Sequence, residues 1–168
     1  TVSRLSKEKN LHFFIDGLLE LKNKIGDCFN TVVIGDGPLK KELEERVQRL
    51  GLHNNVTFIG KVDNKKIKEY YGACDLFLFS SKSETQGIVL LEAMASKLPV
   101  VAVKASGVMD VVENGVNGYM TTGNEEDWAN RIWDIIMNNN LRLKLKDGAF
   151  RTSKEYSDSK IAKLALHY

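Results

Sequence analysis

Short apolar runs alternate with longer amphipathic stretches over the first 121 residues of the chain. Each apolar run is short and bounded by Gly, Asn, Asp or Ser, which is typical of strands buried in a parallel sheet. The pattern predicts six strands, which span Thr1–Leu5, Thr31–Ile34, Val56–Ile59, Leu76–Phe79, Val100–Val103 and Gly118–Thr121.

Amphipathic stretches fill the intervals between these strands. In Leu39–Leu50, leucines and Val47 recur at helical spacing opposite a face of Lys, Glu and Arg. Further helices are predicted over Asn10–Ile25, Lys65–Tyr71, Gly87–Ser96 and Val108–Glu113. The near-regular repetition of strand and helix indicates a parallel sheet with helices on both faces.

From Glu125 onward the strand pattern stops and helices follow. Asn124 is a suitable N-cap, and the acidic residues that come next favour the first helical turn through the helix dipole. An apolar stripe then runs through Trp128, Ile132, Ile135 and Ile136. We therefore predict one α/β domain, a Rossmann-like doubly wound parallel sheet of about six strands with C-terminal helices.

The composition is that of a soluble globular protein, since 43% of the 168 residues are hydrophobic and 27% are charged. No stretch approaches the ~20 apolar residues that span a bilayer. The net charge of +2 is too balanced to indicate a nucleic acid partner. Cys28 and Cys74 form no Cys-x-x-Cys pair, so we expect reduced thiols in a cytoplasmic protein and no structural zinc. Because the chain begins with Thr1, we expect it to be part of a longer protein.

A ligand of an open parallel sheet binds beyond the carboxyl ends of the strands. The loops that follow the predicted strands are therefore the candidate site. In chain order they are Ser6–Lys9, Gly35–Pro38, Gly60–Asp63, Ser80–Gly87 and Lys104–Gly107.

The loop Ser80–Gly87 and the helix after it carry the strongest chemical signal. A polar loop that enters a helix through Gly87 presents unpaired backbone N–H groups at the positive end of the helix dipole, which suits a phosphate. Glu92 follows in an otherwise apolar helix, where a ribose diol would supply the donors that its carboxylate needs. Glu84 lies in the loop, where it could face a sugar. Taken alone, each glutamate is equally compatible with a solvated or locally paired side chain, but the E-x7-E spacing favours binding.

Arg4 and Lys9 lie around the loop after the first predicted strand. Arg offers a bidentate fork to phosphate oxygens, and Lys adds a point charge. Each residue alone would be an ordinary surface residue. Their position at the ligand-binding edge of the sheet favours a role in neutralising a leaving diphosphate without a metal.

Gly35-Asp-Gly-Pro38 follows the second predicted strand. The glycines permit a tight turn and a close backbone approach, which makes Gly37 a candidate substrate contact, and Pro38 suits the first turn of a helix. This loop is shorter than GxGxxG. Lys61 lies where a dinucleotide fold would place an acidic residue, which argues against NAD.

Other chemistry has little support. No DxD motif is present to hold Mg²⁺ on a diphosphate, and we expect neither a metal nor a cofactor. No G-x-S-x-G elbow is present to activate a serine, which argues against a serine hydrolase. The histidines, interpreted as structural or surface residues, are His12, His53 and His167. A cluster of lysines is interpreted as a solvated helix face, which could also contact an anionic membrane. Its members are Lys61, Lys65, Lys66 and Lys68.

The chain resembles the C-terminal domain of retaining, GT-B-fold glycosyltransferases of family 4 (glycosyl transferases group 1). The match runs from the segment around Arg4 and Lys9 through Gly35–Pro38 and Val56–Gly60, and it ends at Glu113–Gly118. Its most specific part is Ser-Glu-Thr-Gln-Gly-Ile-Val-Leu-Leu-Glu-Ala-Met-Ala. The resemblance implies that residues 1–168 are the donor-binding half of a GT-B enzyme and that the N-terminal acceptor domain lies outside this chain.

The resemblance also implies a role for each site residue. Arg4 and Lys9 hold the donor diphosphate, and Glu84 contacts the donor hexose near its reacting centre. Glu92 takes the ribose hydroxyls. Main-chain groups of Val56–Gly60, represented by Thr57 and Gly60, meet the base. The residues that grip sugar hydroxyls and phosphate, largely by backbone, are Thr85, Gln86, Gly87, Ile88 and Val89.

Two positions depart from the family pattern. Ser3 stands where Gly is usual, and Gln86 stands where an aromatic residue more often precedes the motif glycine. The Ser-Glu-Thr-Gln-Gly form resembles enzymes that glucosylate diacylglycerol or related glycolipids, and polysaccharide-building relatives can share it. The resemblance therefore implies transfer of a hexosyl group from a nucleoside-diphosphate sugar to a lipid or saccharide acceptor with retention, and it favours a glucosyl group and UDP-glucose. The enzyme is expected in the cytoplasm, and at the membrane surface if its acceptor is a lipid.

Other functions remain open at this point. They are a nucleotide-sugar epimerase or phosphorylase of the same architecture, a nicotinamide dehydrogenase, and a non-catalytic nucleotide-binding or interaction module. In the resembled fold the last helix returns toward the missing domain. We therefore expect the amphipathic segment Asp158–Tyr168 to have lost its packing partner and its stripe, formed by Ile161, Leu164 and Leu166, to be exposed or disordered.

Overall fold

The computed structural model describes the backbone of residues 1–165 and the side chains of residues 1–157. The strands are β1 (Thr31–Ile34), β2 (Val56–Gly60), β3 (Phe77–Phe79), β4 (Val100–Val103) and β5 (Gly118–Thr121). A 3-10 turn at Lys7–Lys9 precedes the helices, which are α1 (Leu11–Ile25), α2 (Lys40–Arg49), α3 (Asn64–Gly72), α4 (Ile88–Ala95), α5 (Ser106–Met109), α6 (Glu125–Met137) and α7 (Asn139–Ala165).

All of these strands pair in parallel. β1 lies beside β2, with Thr31 opposite Val56. β4 lies between β3 and β5, so that Val101 is flanked by Leu78 and Tyr119. The prediction of an α/β fold with parallel strands is confirmed.

Helices cover both faces of the three-stranded sheet, because alternate residues of its buried strands enter different apolar clusters. Leu78 and Val101 belong to a cluster with side chains of α1, α2 and α6. Phe77 and Val100 belong to a second cluster with side chains of α3, α4 and α7. This double coverage is the reason that β3 and β4 read as continuous apolar runs in the sequence.

The segment Thr1–Leu5 does not form the sixth strand that the apolar pattern predicts. It makes one parallel bridge, Val2 beside Ile34, where the Ser3 amide donates to the Ile34 carbonyl at 3.0 Å. The Leu5 amide then donates to the carbonyl of Asp36, in the loop after β1, also at 3.0 Å. Because the Leu5 hydrogen bond goes to a loop and not to β1, the pairing does not extend beyond one bridge. The described residues therefore contain five strands.

The predicted helix Val108–Glu113 is also wrong, since α5 ends at Met109. The side chain of Asn117 takes backbone groups that a longer helix would use. Its Nδ2 donates to the Val111 carbonyl at 2.9 Å, and its Oδ1 accepts from the Glu113 amide at 2.8 Å. Side-chain bonds of this kind compete with helical ones and end the helix.

The helical region after β5 follows the sequence pattern. Asn124 caps α6, with its Oδ1 accepting from the Asp127 amide at 2.9 Å. Trp128 is fully buried, and a Cβ on Gly17 of α1 would lie 2.5 Å from its ring, so the two helices can pack closely only through a glycine. The prediction about the stripe of Asp158–Tyr168 lies outside the described side chains.

Candidate functional site

A crevice opens at the carboxyl ends of β1 and β2, where ligands of parallel sheets bind. Its main cavity, of about 630 Å³, is bordered by Arg4, Gly37 and Lys61. A neighbouring cavity of about 400 Å³ is bordered by Glu92. Both cavities share Asn64 and Ile67, from the first part of α3. The crevice therefore extends from the glycine loop along α3 to α4.

The glycine loop after β1 determines where Arg4 lies. Gly35 has a φ of +134°, and a Cβ there would overlap the carbonyl oxygen of Ser3. A Cβ on Gly37 would overlap the carbonyl oxygen of Leu5. Only glycine fits at these two positions, and the close approach holds the exposed Arg4, between Ser3 and Leu5, at the edge of the cavity.

The loop that carries Lys9 is tied to the end of β3. The Ser80 hydroxyl donates to the Lys9 carbonyl at 2.7 Å, and the Ser81 hydroxyl donates to the Glu8 carbonyl at 3.2 Å. Both serines are buried. Their hydrogen bonds bring the loop of Arg4 and Lys9 beside the start of the Ser80–Gly87 loop, although Lys9 lines neither cavity.

Glu8 is an acidic member of this cationic loop that the sequence did not single out. Its carboxylate accepts a hydrogen bond from the Ser6 hydroxyl. That hydrogen bond, a backbone hydrogen bond and the nearby charges of Lys9 and Arg4 hold the pKa of the Glu8 carboxyl below its usual range. Glu8 is therefore an anion that partly offsets the two cations expected to meet a diphosphate.

Glu84 accounts for a difference from the sequence prediction at the start of α4. The N–H groups expected to be unpaired are in part occupied, because the Glu84 Oε1 accepts from the amides of Gln86 at 3.2 Å and Gly87 at 3.0 Å. A carboxylate just before a helix is favourable through the helix dipole, although the Glu84 side chain does not cap α4 itself. Among the described residues, the next amides, of Ile88 and Val89, have no partner.

The segment Lys104–Gly107, whose last two residues begin α5, holds the Glu84 backbone in place. The Gly107 amide and the Ser106 hydroxyl both donate to the Glu84 carbonyl, at 2.9 and 3.1 Å. A Cβ on Gly107 would lie 2.6 Å from the carbonyl carbon of Thr85 and 2.8 Å from the amide of Gln86. A glycine is therefore needed for the two loops to lie this close.

Glu92 is exposed on α4 and makes no hydrogen bond or ion pair with the part of the chain that the structure describes. The local pairing that the sequence left open is not seen. The same cavity is also lined by Tyr71, at the end of α3, which the sequence did not single out. Burial, and then the charge of Glu92, raise the pKa of the Tyr71 phenol above its usual range.

Not every predicted site residue reaches the crevice. Thr57 is exposed on β2, three residues before the end of the strand, and it lines neither cavity. Gly60 contributes its carbonyl, which accepts from the Gly35 amide at 2.8 Å and joins the ends of β1 and β2. Thr85 and Gln86 are exposed in the loop before α4. Their contacts with a substrate stay predictions.

The described cysteine, histidine and acidic side chains outside the crevice do not form a second reactive site. In the described part of the chain, no group of three His, Cys, Asp or Glu side chains could hold a metal ion. Cys28 and Cys74 are free thiols, and burial raises the pKa of Cys74. His12 bonds to the exposed Glu42 at 2.7 Å. No helix within the described residues has the length and apolar character to cross a membrane.

The sequence model of one protein family, described as glycosyl transferases group 1, matches residues 1–152. A curated relative, the alpha-monoglucosyldiacylglycerol synthase of Streptococcus pneumoniae (strain ATCC BAA-255 / R6), is 33% identical over 137 residues. That match covers 82% of this chain and 31% of the relative. The chain thus spans about a third of the length of this relative.

Two solved structures are similar in fold and sequence. Anabaena Alr3699/HepE in complex with UDP-glucose is 32% identical with a TM-score of 0.85, over 99% of this chain and 48% of that one. The C-terminal domain of a glycosyl transferase group 1 family protein (LpcC) from Francisella tularensis is 30% identical with a TM-score of 0.82, over 92% and 83%. These findings confirm the resemblance to a C-terminal, donor-binding domain of a GT-B glycosyltransferase. The chain belongs to the glycosyl transferases group 1 family.

Proposed function

We propose that the crevice binds a nucleoside diphosphate sugar and that the protein transfers its glucosyl group to a lipid or saccharide acceptor with retention. One observation carries the proposal. Arg4, the glycine loop and Lys61 border one end of the crevice, and the unpaired Glu92 borders the other. A diphosphate needs cations and a ribose needs an acceptor for its hydroxyls, and the two ends supply these in turn.

The chemistry at the phosphate end is electrostatic. Arg4 and Lys9 neutralise the charge that develops on the leaving diphosphate, together with the amides at the start of α4, Ile88 and Val89 among them. Because these groups supply positive charge from the protein itself, we propose neither a metal nor a cofactor. Glu84 faces the donor hexose near its reacting centre once an anion competes for the amides that its carboxylate now occupies.

The names of similar proteins support UDP-glucose as the donor. Alr3699/HepE has been solved with UDP-glucose, and two relatives are alpha-monoglucosyldiacylglycerol synthases, from Streptococcus pneumoniae (strain ATCC BAA-255 / R6) and Acholeplasma laidlawii. The latter is 31% identical, and the match covers 40% of it. A glycolipid acceptor would place the whole protein in the cytoplasm at the membrane surface, with the acceptor bound by an N-terminal domain outside this chain.

Calorimetric titration of the chain with UDP tests the proposal. We expect UDP to bind and Glu92→Ala to weaken it about tenfold or more, because hydrogen bonds to a charged group contribute about 1.5–3 kcal/mol. Glu45→Ala is a matched control, since Glu45 is exposed on α2 and lines neither cavity. Equal binding by the wild type and Glu92→Ala would contradict the assignment of Glu92.

The same chain separates the proposal from the other functions. We expect UDP to raise the thermal midpoint and neither NADH nor inorganic phosphate to do so. Stabilisation by NADH would favour a nicotinamide dehydrogenase, and no stabilisation by any of the three would favour a module that binds no nucleotide. An epimerase would also bind a sugar nucleotide, but it would change the sugar without an acceptor. A phosphorylase would transfer its sugar to inorganic phosphate, so phosphate itself would bind and stabilise it.

A further inference from the structure

Tyr71 combines deep burial with an unsatisfied polar group. The side chain is 5% exposed, and its ring meets that of Phe77 edge to face with the ring centres 5.7 Å apart. The phenol Oη is buried and has no hydrogen-bond partner among the described residues. Buried hydroxyls nearly always have a partner, so one without a partner calls for an explanation.

The surroundings of the hydroxyl indicate what that partner is. Tyr71 and Glu92 line the same cavity of about 400 Å³. Tyr71 also borders a second, small and mostly apolar cavity, but the charged group that acts on its phenol is Glu92. Because burial and this carboxylate both raise the phenol pKa, Tyr71 keeps its proton and acts as a hydrogen-bond donor.

The Glu92 carboxylate is suited to receive that donor. It is exposed, it has no partner within the described residues, and its side chain has the rotameric freedom to turn toward either wall of the cavity. A carboxylate has two oxygens and can accept several hydrogen bonds at once. A hydrogen bond to Tyr71 would fix one oxygen and leave the other directed into the cavity.

We propose that Tyr71 is a positioning residue for Glu92, which its hydroxyl holds in the orientation that accepts the ribose diol of the nucleotide. The role depends on the proposed function, since it requires Glu92 to bind the ribose. It predicts that Tyr71 affects ribonucleotides and not nucleotides that lack the diol. A purely structural Tyr71 would affect both equally, and phenylalanine would replace it without consequence for the diol.

The test compares UDP with 2′,3′-dideoxyuridine diphosphate by calorimetry, on the wild-type chain and on Tyr71→Phe. Phenylalanine keeps the edge-to-face contact with Phe77 and removes only the unpartnered hydroxyl, so we expect no fall in the thermal midpoint. We expect the UDP affinity to fall about three- to tenfold, the scale of one ordinary hydrogen bond, because Tyr71 acts only through the orientation of Glu92. The affinity for the dideoxy analogue should change less than about twofold.

Two further variants identify Glu92 as the group through which Tyr71 acts. In a Glu92→Ala background, Tyr71→Phe should cause no further loss of UDP affinity, because the two residues act as one unit. Tyr70→Phe is the matched control, since it makes the same chemical change one residue away, on a side chain that does not line this cavity. We expect Tyr70→Phe to bind UDP as the wild type does.

The outcomes distinguish this proposal from the proposed function. If wild type binds UDP and Glu92→Ala weakens it, but Tyr71→Phe binds like the wild type, the role of Tyr71 is overturned and the donor site stands. Equal losses for UDP and the dideoxy analogue in Tyr71→Phe would also overturn it, in favour of a structural role. Failure of wild type to bind UDP would overturn the proposed function, and the role of Tyr71 with it.

Discussion

The two glutamates of the E-x7-E spacing differ in their partners. Glu84 holds the amides of Gln86 and Gly87, whereas Glu92 has no partner among the described residues. The spacing identified both residues but not this difference. A carboxylate before a helix can cap it or bind a ligand, and the choice depends on loop geometry that the residue types do not encode.

The position of the Glu84 carboxylate leads to a prediction about anion binding. It occupies the same amides that a phosphate would use at the start of α4, so it competes with an incoming anion. We expect Glu84→Ala to bind inorganic pyrophosphate about two- to fivefold more tightly, since a charge at a helix N-terminus contributes about 0.3–1 kcal/mol. Calorimetric titration with pyrophosphate measures this change.

The same substitution should destabilise the fold. Losing the two hydrogen bonds that the Glu84 carboxylate accepts costs about 1 kcal/mol, which denaturant unfolding would detect. Glu113→Ala is a suitable control, because Glu113 is exposed and its side chain accepts no bond from the start of α4. Weaker pyrophosphate binding by Glu84→Ala would indicate that the anion does not use these amides.

Tyr71 was missed for a different reason. Along α3 it follows Tyr70, and nothing in the sequence says which of the two enters the core. Its burial depends on packing with Phe77 and with helix α4, which is a tertiary effect. An unsatisfied hydroxyl becomes visible only once these neighbours are in place.

At the scale of elements, the one-turn helix α5 has a function that its length does not suggest. Through Gly107 and Ser106 it fixes the Glu84 backbone, and with it the loop between β3 and α4. We expect Gly107→Ala to displace this loop, because the new Cβ would lie 2.6 Å from the Thr85 carbonyl carbon. Overpacking of this kind costs about 1–3 kcal/mol of unfolding free energy.

Measurements of stability and UDP affinity check this prediction together. Gly107→Ala should lower the free energy of unfolding and weaken UDP binding. Gly72→Ala makes the same change where a Cβ would meet nothing within 4 Å, and it should leave both quantities nearly unchanged. If Gly107→Ala bound UDP with wild-type affinity, the position of the β3–α4 loop would not matter for the donor.

The apolar pattern predicts the bounds of some elements better than those of others. The strands β1, β4 and β5 have their predicted bounds, and β2 and β3 differ from theirs by one residue, because continuous apolar runs mark buried parallel strands. Thr1–Leu5 has the same pattern but fails as a strand, since it forms only one bridge with β1 before the Leu5 amide turns to the glycine loop. An apolar run indicates burial rather than strand pairing, since Leu5 is fully buried but belongs to no strand.

At the scale of the whole molecule, the position of the crevice followed from topology. Parallel strands bring the ends of β1 and β2 to one edge, and the crevice lies there, between residues far apart in sequence such as Arg4 and Lys61. The side-chain contacts within the crevice did not follow, because they depend on close approaches such as that between Gly37 and Leu5.

The proposed glucosyl transfer requires more than a site for the donor. The chain covers 31% of the alpha-monoglucosyldiacylglycerol synthase from Streptococcus pneumoniae (strain ATCC BAA-255 / R6) and 48% of Alr3699/HepE. Under the proposed function, transfer needs a bound acceptor as well as the donor, and holding two reactants in place accounts for about 7–11 kcal/mol of the barrier. We therefore expect the chain alone to bind UDP, yet to release no UDP from UDP-glucose faster than the Glu92→Ala variant does, with or without a diacylglycerol acceptor.

A coupled assay for released UDP measures this rate, and calorimetry on the same sample shows whether the donor site is occupied. Binding without release would indicate that positioning of the acceptor, rather than recognition of the donor, supplies the missing part of the barrier. Release above the Glu92→Ala rate would contradict the prediction, since Arg4, Lys9 and the start of α4 would then suffice to activate the glucosyl group toward water. Release that rose further with added diacylglycerol would mean that this half of the fold also positions the acceptor.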